Sequence, residues 1–346
     1  MNIKLLKAIC ETAGTSGFES RIRNLIIEEV KDICDEVSVD GIGNVIALKK
    51  GSGDKKIIST AHMDEIGFMV KHIDDNGFIR VNTIGGFDPK TLTAQRVMIH
   101  GKKDIVGVFG SKPIHIMTPE ERGKNMAIDD YYIETGHTAE QVKELIQVGD
   151  PITRHQSLIE MGDCINSKSL DNRISVYILI EALRQLKTPP HDFYAVFTVQ
   201  EEVGLRGAII AGHHISPDFC INLDTTIAFD GPGSKEEEKI TKLGEGTGIK
   251  MMDSSVICDY RMVDFMRKVA NDNKIKWQAE ILTRGGTDTG GIQRMAMDGA
   301  ICGAISIPTR NIHQSVEMVN KADVKASIDL TVACVNAIGD YDWAHK

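Results

Sequence analysis

The chain has 346 residues and a formal net charge of -9. Its hydrophobic share of 42% and charged share of 26% are those of a globular protein long enough to bury a sizeable core. The acidic balance argues against a nucleic-acid surface and against docking on anionic membranes, and it suits a carboxylate-rich site that holds cations.

Residues 2–12 read as an amphipathic helix, without the long apolar core of a signal peptide. No apolar run approaches the ~20 residues needed to cross a bilayer. Thr15 or Ser16 is expected to cap a second helix, with Glu19 in the capping-box position after Ser16. Ile22, Leu25, Ile26 and Val30 then share one helical face. Residues 36–50 read as a hairpin turning at GIGN, and GSGDKK precedes a buried strand, IISTAH. That strand ends in TAHMDEIGF, 60–68. His62 and Asp64 face the same side of an extended segment, as a metal ligand and a carboxylate that positions the site would. H-x-D alone is a weak signal.

The character changes over residues 66–161. The short alternating runs FMVKHI, FIRVNTI, RVMIHG and DIVGVFG are separated by DDNG, GGFD and GKKD turns, and one evident helix covers 138–146. This pattern predicts a small β-barrel or sandwich, inserted into an α/β domain with boundaries near 66 and 164.

SLDNR, 169–173, opens an apolar helix over 174–186. Asp171 lies near its start, where an acid is at home in any case. An apolar run, 193–199, leads into TVQEEVGLRGA and a short helix over 205–213. Glu201 and Glu202 thus sit at the C-terminal end of a parallel strand, where open α/β sheets place ligands. One can ligate a metal while the other moves a proton; in isolation the pair would read as an exposed acidic turn. The next strand, FCINLDTT, carries Asp224 near its end, and KEEEK at 235–239 reads as a solvated loop. A strand (249–252), a helix (260–271) and a strand (276–282) follow. LTRGGTDTGGIQ is a Gly-rich turn into a helix, able to bind an anionic or carbonyl group through backbone N–H groups, but it lacks the P-loop pattern. ICGAISIP leads into TRNIH, placing His313 just past another strand, and a last helix covers 322–338. The 7 cysteines are scattered with no C-x-x-C, which predicts reduced thiols and a cytoplasmic protein.

His62, Asp171, Glu202, Asp224 and His313 therefore come from five separate elements. Such a set suits a binuclear site with one bridging carboxylate, and its nitrogen and oxygen donors suit Zn, Co or Mn rather than Ca. Two ions about 3.5–4 Å apart could share a water, lower its pKa and clamp the tetrahedral intermediate of amide hydrolysis. Glu201, unligated, would be the general base and later the acid towards the leaving amine.

TAHMDEIG, SLDNR, VQEEVGLRGA, NLDTT, RGGTDTGGIQ and PTRNIH, in that order over nearly the whole chain, resemble the tetrahedral-dodecamer family of di-metal aminopeptidases. That family includes glutamyl, leucyl and lysyl aminopeptidases and members that have been named endoglucanases. The resemblance implies a mixed-sheet α/β metallopeptidase domain in α/β/α layers, residues 1–65 and 165–346. A β-barrel-like dimerisation domain, residues 66–164, interrupts it. It implies two divalent ions, Zn or Co with Mn as a third choice. His62, Asp171 and Asp224 would hold one; Asp171, Glu202 and His313 would hold the other. Asp171 bridges, Glu201 is the catalytic base, Asp64 orients His62, and the peptide bond after Asp171 is cis. Dimers would assemble into a hollow dodecamer that short peptides enter. Asn311 stands where Tyr is frequent, Gln314 where Ser is common, and Thr247 where Pro is frequent. These departures are expected near the substrate pocket, where they bear on specificity rather than chemistry. A di-metal deacylase or carboxypeptidase would need a basic pocket, for which Arg173, Arg284 and Arg310 are candidates. An endoglucanase would need two metal-free carboxyls flanking a sugar bond.

Overall fold

The structure, a computed structural model, describes residues 1–345. Helix α1 (Ile3–Glu11) buries Leu5, Leu6, Ile9 and Cys10, one stripe of an amphipathic helix, and the Asn2 side chain caps it by accepting from Leu5 N. The second helix departs from expectation. α2 (Ser20–Val30) follows Glu19, which makes no side-chain cap bond. Ser16 is not a cap because its hydroxyl donates to buried Asp64 at 2.6 Å. The Glu19 carboxylate turns back to accept from Gly17 N at 2.7 Å. Strands β1 (Glu36–Val39) and β2 (Val45–Lys49) form the antiparallel hairpin, and β3 (Lys56–His62) ends on His62.

The chain then enters a closed barrel. Its strands are β4 (Gly67–Ile73), β5 (Ile79–Ile84), β6 (Arg96–His100), β7 (Asp104–Gly110), β8 (Tyr132–Glu134) and β9 (Pro151–Arg154). They close in the order β4-β5-β8-β7-β6-β9, which leaves no open edge. Alternate residues point inward, so Phe68, Val70, Ile79, Val81, Val97, Ile99 and their neighbours form a core of their own. The short helix α3 (Pro119–Arg122) and α4 (Ala139–Leu145) lie between barrel strands, and Thr138 caps α4 in a capping box with Gln141.

The remaining strands are β10 (Ile159–Met161), β11 (Cys164–Ser167), β12 (Asp192–Thr198), β13 (Phe219–Ile227), β14 (Thr247–Met252), β15 (Trp277–Ile281), β16 (Ile301–Arg310) and β17 (Glu317–Asn320). With the first three they build an 11-stranded mixed sheet, whose main path runs β1-β2-β12-β3-β13-β16-β17-β11-β10. Its centre, β12-β3-β13-β16, is parallel. Side chains fall alternately on two faces. Phe193, Ala195 and Phe197 meet α1, α2 and α5 (Leu170–Gln185), together with α7 (Tyr260–Asp272) and α9 (Lys321–Ala337). Val196, Ile58, Cys220 and Cys302 meet α6 (Arg206–Ile215) and α8 (Asp288–Met295) on the other side. The result is the expected α/β/α layering. α5 is the central layer helix: nearly every residue from Leu170 to Leu183 is buried. Each large apolar side chain buried there contributes about 1.5–3 kcal/mol.

The β3–β13 ladder pairs only Ile57 and Ile58 with Phe219 and Cys220. Beyond it, side chains take over. Ser59 donates to the Ile221 carbonyl at 2.7 Å and Thr60 to the Asn222 side chain at 2.5 Å. The functional residues gather past this point, at the C-terminal ends of the parallel strands.

Candidate metal centre

His62 is the last residue of β3. Glu201 and Glu202 lie in the turn between β12 and α6, entered through Gln200 in the left-handed region at φ 54. Asp224 sits within β13, three residues before its end at Ile227. His313 lies in the turn after β16. Asp171 is at the start of α5, where Asp171 and Asn172 leave helical geometry and the peptide bond between them is cis. The Asn172 side chain donates to the Leu223 carbonyl at 3.0 Å, which ties this turn to the strand carrying Asp224.

The folded chain brings all six side chains together. His62 Nε2 is 3.4 Å from Asp171 Oδ1 and 3.8 Å from both Glu201 Oε2 and Asp224 Oδ1. His313 Nε2 is 3.2 Å from Asp171 Oδ2 and from Glu202 Oε2. The two carboxylate oxygens of Asp171 thus face different imidazoles. His62, Glu201 and Asp224, and likewise His62, Asp171 and Glu202, offer ligand atoms within 4.8 Å of one another. Glu201 shares the first triplet, so proximity alone does not separate a ligand from a base.

Asp64 is fully buried and joins several of these parts. Its Oδ1 is 3.4 Å from His62 Nδ1 and accepts from Glu201 N at 3.0 Å. Its Oδ2 accepts from Ser16 and from Glu202 N, the latter at 3.3 Å.

Electrostatics favour a cation here. Burial pushes the carboxyls of Glu201 and Asp224 well up and that of Glu202 up, with neighbouring acids adding to the rise. Burial disfavours the charged form of His62, yet Glu201, Asp171, Asp64 and Asp224 outweigh it and hold the ring well above its ordinary value. His313 is likewise lifted to about 11: burial opposes the charge, and Glu202 and Asp171 prevail. Asp171 is held far below the carboxylate range, since the bonds from both histidines overcome its burial. Glu202 Oε1 is buried with no hydrogen-bond partner among the described residues. Two imidazoles, a cluster of acids and an orphaned carboxylate oxygen fit divalent ions with mixed nitrogen and oxygen ligation.

The centre opens on a cavity of about 860 Å³, lined by His62, Asp171, Glu201, Glu202, Asp224 and His313, with Ile227, Phe229, Leu282 and Ile312 giving it apolar walls. Arg284 and the Gly285–Gly286 turn border it, as do Asn311 and Gln314. Thr247 does not, contrary to expectation: it is buried, and its hydroxyl bonds Ser327 at 2.7 Å. Of the three candidate arginines, Arg173 is buried away from the cavity and donates to the carbonyls of Ile9 and Thr12 at 2.6 and 2.8 Å. Arg310 is clamped by Asp230 at 2.8 and 2.9 Å. Arg284 remains without an ion-pair partner among the described residues.

Several further buried groups border the centre with little or no signal in the local sequence. Asp288 accepts from Thr198 at 2.5 Å, and burial raises its carboxyl to about 6. Its signal was an acid opening a helix after a Gly-rich turn. Glu317 accepts from Asp171 N at 2.7 Å, and Arg154 lies 3.2 Å from Glu317. Neither carried a local signal, because each sits in an ordinary strand pattern and acquires its partners only through the fold.

Imidazoles and carboxylates gathered at the C-terminal edge of a parallel sheet, beside a cavity within the roughly 300–1,000 Å³ usual for small ligands, define a metal-dependent hydrolase. Comparison with known proteins names the family. The M42 glutamyl aminopeptidase profile matches residues 43–330, and the chain belongs to that family. A lysyl aminopeptidase from Pyrococcus furiosus is 35% identical over 349 residues, covering 98% of both chains. Among solved structures, an aminopeptidase from the archaeon Desulfurococcus kamchatkensis superposes with a TM-score of 0.93 at 36% identity, covering 96% of this chain and 94% of that one. The Pyrococcus horikoshii TET1 peptidase, which can assemble into a tetrahedron or a large octahedral shell, superposes at 0.86 with 32% identity, covering 96% and 98%. The protein is a metal-dependent aminopeptidase. No described helix is long and apolar enough to cross a membrane.

Proposed function

We propose that the protein removes N-terminal residues from short peptides in the cytoplasm, using two divalent ions, Zn or Co with Mn as a third choice. His62, Asp171 and Asp224 would hold one ion, and Asp171, Glu202 and His313 the other. The observation that carries this reading is the placement of Asp171, whose two oxygens face His62 and His313 at 3.4 and 3.2 Å. Bound there, the ions would supply Lewis-acid polarisation of the scissile carbonyl and an acidified water. Glu201 takes the proton from the attacking water and delivers it to the leaving amine. Its burial, which raises its pKa, suits a group that must both accept and return a proton. Asp64 keeps the His62 ring in place and holds the Glu201–Glu202 turn through both amides. The apolar walls of the cavity receive the first side chain, and Arg284 favours a carboxylate at its rim.

Residues 1–65 and 165–346 form the peptidase domain in this reading, and residues 66–164 pair two copies, with dimers assembling into a dodecamer. The TET1 peptidase of Pyrococcus horikoshii supports a closed assembly. Exposed Val106, Ile114, Ile116 and Val148 in the insertion support a covered surface there.

The test is release of free amino acids from short peptides, half of them N-acetylated, by metal-stripped protein titrated with Zn, Co and Mn. Metal-restored cleavage of free N-termini alone is the expected result. Cleavage of acetylated peptides would replace this reading with a deacylase or carboxypeptidase.

A further inference from the structure

We propose that Arg154, the last residue of barrel strand β9, is a positioning residue for the aminopeptidase centre: it fixes the two turns that carry Asp171 and His313. This rests on the two-ion reading above.

Arg154 is 5% exposed and comes from the barrel, yet its guanidinium reaches three places in the peptidase sheet region. Nη1 donates to the Gln314 carbonyl and to Glu317 Oε1, the latter at 3.2 Å. Nη2 donates to Ser169 Oγ at 3.2 Å. Gln314 follows His313 directly, and Ser169 lies two residues before Asp171. Glu317 is fully buried, and its other oxygen accepts from the backbone N–H of Asp171 at 2.7 Å. One planar fork therefore holds both turns, directly at Gln314 and Ser169 and through Glu317 at Asp171.

These turns need holding. Ser169 and His313 lie in the left-handed region at φ 57 and 62, and Asn311 joins them at φ 60. Side-chain-bearing residues populate that region sparsely and persist there when their surroundings enforce it. Ser169 is further fixed by Glu65, to which it donates at 2.5 Å and which Lys168 grips at 2.7 and 2.9 Å. On the His313 side, Ser315 donates to the Thr91 carbonyl of the insertion at 3.0 Å. Arg154 is the group that spans both turns. A lysine cannot reproduce the reach, since its ammonium offers no planar fork.

A bland alternative is that Arg154 only fastens the barrel to the sheet. A second fastening provides the control. Arg21 of α2 grips Asp104 of β7 at 2.6 and 2.8 Å, without touching either turn. A mere fastening lowers stability when cut; a positioning residue also lowers metal affinity.

The experiment titrates metal-stripped, full-length wild type, Arg154→Met, Arg154→Lys and Arg21→Met with Zn against a chromophoric chelator, and records the melting temperature of each metal-free protein. In Arg154→Met the ion assigned to Glu202 and His313 should bind about 10- to 100-fold more weakly, the range for losing a partner of a metal ligand. Arg154→Lys should fall between, and Arg21→Met should lower the melting temperature alone. Wild-type affinity in Arg154→Met, or an equal affinity loss in Arg21→Met, overturns the proposal. If Arg154→Met does not fold, Glu317→Gln, which weakens the same relay, takes its place under the same criteria. A wild type that binds one ion refutes the two-ion reading instead, and Arg154 is then judged by the affinity for that ion.

Discussion

Asp64→Asn separates holding the site from binding the metal. The carboxylate accepts from Glu201 N at 3.0 Å on one oxygen, and from Ser16 Oγ at 2.6 Å and Glu202 N at 3.3 Å on the other. An asparagine has one acceptor oxygen. Its amide nitrogen must therefore face either Glu201 N or Glu202 N, donor against donor. The less costly placement sets nitrogen beside Ser16, whose hydroxyl can turn to accept, and forfeits the bond from Glu202 N. The charge beside His62 Nδ1, 3.4 Å away, goes too. A hydrogen bond to a charged group is worth about 1.5–3 kcal/mol. If that loss appears in the transition state, kcat/KM falls roughly 10- to 150-fold. Steady-state cleavage of a peptide amide at saturating metal, with metal content measured on the same samples, reads both quantities. The expected result is near wild-type metal content with activity reduced by that factor. Unchanged kcat/KM would refute the positioning role. Loss of metal, with activity restored by excess ion, would make Asp64 a ligand.

Glu201→Gln should retain its ions and lose about 10²- to 10⁴-fold in kcat, as expected for removal of a general base; turnover within a few-fold of wild type would rule out that role. Asp171→Ala should lose both ions, since its oxygens face both histidines, and a fully loaded variant by elemental analysis would exclude the bridge. Glu65 gives a pH test. Burial would raise its carboxyl, but Lys168, Arg173 and Arg154 overcome that and lower it from 4.5 to about 2. Because the folded value is the depressed one, its stabilisation is present above about pH 4.5 and is lost as the pH falls towards 2. Glu65→Gln leaves Lys168 and Arg173 uncompensated and should cost about 3–5 kcal/mol near neutral pH. Its melting temperature should also fall less steeply than wild type through that acid window. Parallel melting curves across the window would exclude Glu65 as a source of acid sensitivity.

The parts of the molecule legible in sequence are those written within a few consecutive residues. A continuous apolar run marks β12, alternation marks the barrel strands β4 to β7, and an amphipathic stripe marks α1. His62, Glu201 and Glu202 each follow a strongly apolar strand, a weak signal singly that gains its weight from the other acidic and histidine clusters at strand ends along the chain. The second helix starts away from its local capping pattern for a related reason. Ser16 and Glu19 satisfy the local capping pattern, but a buried acceptor 48 residues away, Asp64, takes the Ser16 hydroxyl instead. A capping preference of about 1 kcal/mol does not decide against a buried carboxylate that needs its donor.

The same limit explains what stayed hidden around the centre. Arg154 and Glu317 are 163 residues apart, and Glu317 and Asp171 are separated by 146. A strand pattern records that a residue faces inward, not which distant polar group meets it there. Burying a charge without a partner is costly, so a buried arginine and a buried glutamate must find one another. The pair formed against the amide of Asp171 and the carbonyl after His313, beside turns in which Ser169, Asn311 and His313 hold positive φ. The barrel therefore does more than extend the surface of the peptidase sheet: through one guanidinium it reaches the backbone of the two turns on which Asp171 and His313 stand.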